Sequence, residues 1–247
     1  MIADRHRSRG DLPGPSAELQ RLVRLAARGL ARSGLAHAYG HCSARLDDER
    51  FLVCASRPMG LIGPGEPGTV CAISGELPAG VFGEVGIHRA IYAARPDVGG
   101  ICRTQPFHVM ALSSAGEVPL PRHCFGAYFP GGVRMWDDVR LVRDAATAAA
   151  VADVLGDAWA VLLRGNGAVV CGTSIEEAAV LTWYLEDAAR VELVVRAAGF
   201  DRRLTPEEVA DRQVWTGQIR ERMWEYLTAA DPEAGARAET PPSRPSR

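Results

Sequence analysis

The chain has 247 residues, 47% hydrophobic and 23% charged, with a formal net charge of −2. That balance describes a globular chain able to bury one sizeable core, with no electrostatic reason to expect nucleic acid or an anionic membrane as partner. All 28 basic residues are arginine, so Schiff-base chemistry on a carbonyl substrate or on pyridoxal phosphate, which needs a lysine amine, is excluded.

Residues 1–15 are rich in Arg, Pro, Gly and Ser and read as a flexible N-terminal segment. From Ser16 to Leu35 the positions Leu19, Leu22, Val23, Leu25, Ala26 and Leu30 recur at helical spacing, with Ser16 as N-cap. Gly40 to Arg45 leads through Leu46 into an acidic turn, and Phe51–Ala55 reads as the return strand of a hairpin. A Gly/Pro-rich loop begins at Arg57-Pro58-Met59-Gly60 and ends at Gly68; Thr69–Ile73 is a further strand. Glu84 to Arg95 is a helix stopped by Pro96. The strand Val98–Gln105 follows, with Arg103 and Gln105 on one face because residues two apart point the same way. Val109–Ser113 is short and ambiguous, and Gly126–Val133 holds a Tyr-Phe-Pro-Gly-Gly turn.

Leu141–Leu155 is Ala-rich and helical. The apolar strands 158–163 and 168–171 are joined at Arg164-Gly165-Asn166-Gly167, where Asn-Gly is a strong hairpin signal. Ser174 with Glu177 forms a capping box opening a helix to about Ala198. Thr205 and Pro206 open a last helix that runs to about Ala229. The tail 230–247, rich in Pro, Arg, Ser and Glu, reads as disordered. Strands flanked by helices without a long linker give one α/β domain over 16–229.

The cysteines Cys42, Cys54, Cys71, Cys102, Cys124 and Cys171 form no Cys-x-x-Cys pair and read as reduced, buried apolar residues, with Cys102 the one placed for a redox or nucleophilic role. No glycine-rich nucleotide loop occurs. No apolar run nears the roughly 20 residues that span a bilayer, and residues 1–7 lack a leader's apolar core, so a cytoplasmic protein is expected.

Gly40-His41-Cys42-Ser43-Ala44-Arg45, the Pro/Gly loop after Phe51-Leu52-Val53, Glu84-x-x-x-His88-x-x-x-Tyr92-x-x-x-Pro96-Asp97-Val98, the strand to Gln105-Pro106, and Leu163-Arg164-Gly165-Asn166-Gly167 together resemble the class II aldolase/adducin family. The similarity runs from about Ser16 to Ala198. It implies a three-layer α/β/α domain around a mostly antiparallel central sheet, assembled as a homotetramer with sites between subunits. Family enzymes bind a divalent metal (Fe, Zn or Mn) through a His-x-His pair and a third histidine. The matching positions here are Arg103, Gln105 and Asn166. A guanidinium offers a metal no lone pair and an amide only a weak carbonyl oxygen. Glu84, at the family's acid/base position, is retained.

The functional expectation is a lyase, of decarboxylase or retro-aldol type, acting on a small carboxylate or carbonyl substrate, with an aromatic one suited to specialised metabolism. Arg103 and Glu84 are the expected catalytic pair. Arg103 would hold a carboxylate or stabilise a developing enolate, helped by hydrogen bonds from Gln105 and Asn166. His41 and Ser43, in the Gly-His-x-Ser-x-Arg variant typical of the family's decarboxylase and adducin-like branches, are candidate substrate ligands. Tyr128, in the Gly-Ala-Tyr-Phe-Pro turn, is either an aromatic packing residue or a candidate proton donor to the site of a neighbouring subunit. Glu84 and His88 share a helix face, and a relocated metal site would draw on His88, His108, His123 or His41 together with Glu84. Two alternatives stay open: an oxidative decarboxylase like the family's non-haem-iron-type oxygenases, and a non-catalytic adducin-like binding protein.

Overall fold

The computed structural model describes residues 13–235. Its strands are β1 (His41–Arg45), β2 (Arg50–Val53), β3 (Thr69–Ala72), β4 (Gly100–Thr104), β5 (Arg134–Trp136), β6 (Ala160–Leu163) and β7 (Ala168–Gly172). They form one seven-stranded sheet in the order β3-β2-β1-β4-β7-β6-β5. Every pairing is antiparallel except β5 with β6, so the sheet is mixed by virtue of one edge strand. The helices are α1 (Ala17–Arg32), α2 (Val85–Ala94), α3 (Phe107–Ser114), α4 (Ala145–Leu155), α5 (Ile175–Ala197), α6 (Pro206–Arg212) and α7 (Ile219–Thr228). Among the described residues no helix is long and apolar enough to cross a membrane.

Alternating side chains of the central strands define the layers. Cys42 of β1 reaches the Val23 carbonyl of α1, and Cys102 of β4 meets Thr182 of α5, so α1 and α5 cover that face. The neighbours His41 and Ser43 point the other way, to His88 and Tyr92 of α2, and α4 packs beside α2. The result is the expected α/β/α sandwich. Cys102 lies in its interior with no exposure, and burial pushes its thiol well up. That removes the thiolate a redox or nucleophilic role would need.

The cap signals hold in part. Ser16 accepts from the Leu19 amide, and Thr205 with Glu208 forms a reciprocal box. Ser174 accepts from the Glu177 amide, but the Glu177 carboxylate turns to Thr173 and Arg220, leaving half a box. The ambiguous stretch at 109–113 belongs to α3, whose first amides, of His108 and Val109, donate to Glu186 of α5. That helix start is satisfied by a carboxylate distant in sequence, which local reading does not see.

Two expected elements differ. The last helix is interrupted between Arg212 and Ile219. Gly217 and Gln218 both take positive φ, and the Val214 carbonyl accepts from Tyr128 while Trp215 packs on that ring. Tertiary packing overrides the helical pattern there. The expected disordered tail also begins too early. Asp231 has no exposed side chain and accepts from Arg28 and Arg32, and Glu233 accepts from Arg24 and Arg28, tying residues 231–233 to α1. The remaining expectations of disorder, at 1–12 and 236–247, lie outside the described residues.

Candidate active site

A cavity of about 1130 Å³ opens where β1, β4, the start of α2 and the β6–β7 turn converge, lined by Tyr39, His41, Arg57, Phe82, Glu84, Arg103, Gln105, Leu141, Arg143 and Asn166. Antiparallel register sets His41 directly opposite Arg103, so their side chains stand next to each other on one face. Glu84 is the N-cap residue of α2, yet its side chain makes no cap bond. It reaches across to Arg103, 3.1 Å from Nη2. Arg103 is 1% exposed, and its Nε and Nη1 have no hydrogen-bond partner among the described residues. Burial works against its charge and Glu84 offsets part of that cost.

Below this pair two ladders mesh. Glu84, His88 and Tyr92 recur every fourth residue and share one face of α2. His41, Ser43 and Arg45 recur every second residue and share one face of β1. His41 Nδ1 lies 2.8 Å from His88 Nε2, Ser43 Oγ 2.6 Å from His88 Nδ1, and Ser43 Oγ 3.0 Å from the Tyr92 hydroxyl. Burial, reinforced by Arg103, pushes His88 down to about 3; it holds His41 well below the usual imidazole range, with His88 and Arg103 adding to the effect. Arg45 closes the ladder. It stacks 4.7 Å over the Tyr92 ring and donates to the carbonyls of Tyr92, Arg95 and Val98 at the end of α2.

Gln105 and Asn166 meet each other, with Gln105 Nε2 donating to Asn166 Oδ1 at 2.8 Å. The hairpin allows this approach because Gly167 sits at φ +87, where a Cβ would run into the Thr104 carbonyl. This donor set does not fit a divalent cation. The guanidinium brings positive charge to the position, Glu84 is engaged by it, and the Asn166 oxygen is engaged by Gln105.

The structure does not bring all the expected residues together. Tyr128 lies outside the cavity: its hydroxyl donates to the Val214 carbonyl at 2.7 Å, and its ring packs on Tyr184 and Trp215. Within this chain Tyr128 follows the packing reading, its hydroxyl satisfied by a backbone carbonyl. His88 has both ring nitrogens occupied by His41 and Ser43. His108 pairs with Glu186 at 2.7 Å, and His123 accepts from the Phe125 amide, neither at the cavity. Sequence reasoning did not place Tyr92, Phe82, Leu141 or Arg143 at the site. Tyr92 alone left a signal, as the third member of the Glu84/His88/Tyr92 repeat.

Residues 21–193 match the family model described as the Class II Aldolase and Adducin N-terminal domain. A 3,4-dihydroxyphthalate decarboxylase of Terrabacter sp. (strain DBF63) is 30% identical over 216 residues, covering 79% of this chain and 88% of that protein. A 3-oxo-tetronate 4-phosphate decarboxylase of Cupriavidus necator is 27% identical, covering 74% of this chain and 88% of that protein. Among solved structures, an aldolase II superfamily protein from Pseudomonas syringae superposes with a TM-score of 0.70 at 27% identity, covering 85% of this chain and 90% of that one.

Proposed function

The chain belongs to the class II aldolase and adducin family, and on that premise we propose that it is a carbon–carbon lyase, a decarboxylase of a small carboxylate-bearing substrate. The observation that carries the reading is Arg103, buried at the cavity floor with two unpaired donor nitrogens and Glu84 beside it. The names of the related decarboxylases support the reaction class, and an aromatic dicarboxylate is the substrate favoured among the two they suggest. Phe82, Tyr39 and Leu141 give the cavity apolar walls, and Arg57 and Arg143 add positive charge. The Gly-His-x-Ser-x-Arg strand and the Arg57-Pro58-Met59-Gly60 loop also depart from the phosphate-binding pattern of the family's sugar-phosphate enzymes.

In a decarboxylation the carbon–carboxylate bond breaks, its electron pair stays on carbon, carbon dioxide leaves and a proton takes its place. The departing carboxylate loses its charge, so an ion pair with it would hold the ground state rather than the transition state. Arg103 therefore pairs with an oxygen that keeps or gains charge, either a second carboxylate or the enolate or phenolate oxygen into which the electrons move. Glu84, whose side chain is 20% exposed, exchanges protons with solvent and supplies the one that ends on carbon. No step is routed through a metal.

The test is carbon dioxide release from 3,4-dihydroxyphthalate by the purified protein, with 3-oxo-tetronate 4-phosphate in parallel. Turnover that falls about 10²–10⁴-fold in Glu84→Gln supports the assignment. Absence of carbon dioxide from either compound, or turnover that consumes oxygen, overturns it.

A further inference from the structure

We propose that His41 presents its Nε2–H to the substrate as a second donor beside Arg103, and that Tyr92, Ser43 and His88 are positioning residues that fix the direction of this donor. His41 is 3% exposed, lines the cavity, and its Nε2 has no partner among the described residues. Its other nitrogen ends the hydrogen-bonded chain Tyr92–Ser43–His88–His41. That chain has a sense, and counting hydrogens reveals it.

Neutral Tyr92, Ser43, His88 and His41 carry one polar hydrogen each, and three contacts join them. Starting from the buried end, Tyr92 donates to Ser43, and Ser43 donates to His88 Nδ1. His88, its hydrogen then on Nε2, donates to His41 Nδ1. This order uses every hydrogen but one, and the one left over is on His41 Nε2 at the cavity. The reverse order leaves two groups unmatched, a lone pair on His41 Nε2 and the Tyr92 hydrogen, where the first order leaves only the His41 Nε2 hydrogen. A mixed order, with both Tyr92 and His88 donating to Ser43, strands the Ser43 hydrogen instead. Tyr92 is 2% exposed and Ser43 has no exposure, so water does not relieve either residue. An unmatched buried donor shifts such an equilibrium by on the order of tenfold to a hundredfold. Arg103 stands beside His41 but makes no hydrogen bond to it, so no Arg103 donor claims a lone pair on His41 Nε2.

Both rings stay neutral because they are buried together next to a guanidinium. A neutral imidazole donates without carrying charge of its own, and a donor of this kind, fixed beforehand, strengthens its bond as negative charge grows on the acceptor. His41 and Arg103, opposite each other across β1 and β4, form a two-donor cradle for one anionic oxygen. The catalytic use of the cradle rests on the decarboxylase reading above; the direction of the donor does not.

The test separates the two. Long-range proton–nitrogen correlation spectra of protein labelled with ¹⁵N-histidine report which ring nitrogen carries the hydrogen, with His41 assigned by loss of its signals in His41→Asn. The expected result is hydrogen on Nε2 in both His41 and His88 of the unsubstituted protein. Hydrogen on His41 Nδ1 overturns the proposal whether or not any substrate is turned over. In Tyr92→Phe, which deletes only the hydroxyl, His41 is expected to show a mixture of both tautomers, and turnover of 3,4-dihydroxyphthalate to lose about 3- to 10-fold in kcat with KM little changed. An unchanged His41 tautomer in that variant overturns the positioning role. If the unsubstituted protein turns over nothing, the lyase reading fails, and the spectra still decide the direction of the donor.

Discussion

His41 Nδ1 and His88 Nε2 lie 2.8 Å apart, two imidazoles sharing one hydrogen, 3% and 0% exposed. His88 has no room for a second proton, since each of its nitrogens already has a partner and the Arg103 charge is adjacent.

This pair makes stability depend on pH. His88 titrates at about 3 in the folded chain, against 6.5 for an ordinary imidazole, so between those values the unfolded chain binds the extra proton. Stability is therefore fully present above about pH 7 and falls as pH drops, by about 1.4 kcal/mol per pH unit for each such histidine. Denaturant midpoints at pH 5 and 7.5 measure the slope, and His88→Asn is expected to flatten it.

Glu84 neutralises a guanidinium that is 1% exposed. Glu84→Ala leaves Arg103 without its counter-charge and is expected to destabilise the fold by about 1–3 kcal/mol. Glu84→Gln keeps a hydrogen-bond acceptor and should lose less stability while losing the proton transfer. Comparing the two by chemical denaturation separates stability from catalysis.

Asp231 bonds Arg28 and Arg32 with no exposed side chain, and these guanidinium partners hold its carboxyl down to about 2. Asp231→Ala takes the two-oxygen partner from Arg28, whose side chain is 6% exposed, leaving it Glu233 alone as counter-charge, and should cost about 1–3 kcal/mol. The carboxyl is depressed from 3.8, so its contribution is present above that pH and disappears as pH falls through about 2. A thermal melt of the variant at neutral pH checks the first statement.

Gly167→Ala places a Cβ against the Thr104 carbonyl at a φ of +87. The expected cost exceeds about 1 kcal/mol, and the turn must move, carrying Asn166 away from Gln105. Loss of turnover together with a lowered melting temperature is the outcome to look for. A variant as stable and active as the parent would contradict the close approach.

Asn166 and Gln105 were legible as site partners through the family resemblance, which puts them with Arg103 at the three histidine positions; the Asn-Gly turn and the two-residue spacing from Arg103 gave only the local geometry. The packing partners of Tyr128 were not legible, because its Tyr-Phe-Pro-Gly-Gly setting says nothing of the Val214 carbonyl 86 residues on that receives its hydroxyl. The break between α6 and α7 was hidden for the same reason: capping residues predict where a helix starts, whereas Trp215 leaves the helix to pack on a ring from another segment.

By itself the sequence determined the order of elements, the absence of lysine, and the replacement of three family histidines by Arg103, Gln105 and Asn166. It also determined which residues share a face, since Glu84, His88 and Tyr92 repeat at helical spacing and His41, Ser43 and Arg45 at strand spacing. Only the tertiary structure decided that those two faces meet. His41 and His88 are 47 residues apart, and their contact depends on the register of β1 against β4 and on how α2 lies over both. Periodicity fixes directions within a segment. The packing of segments fixes which directions converge, and here it turns two separate motifs into one hydrogen-bonded chain ending at the cavity.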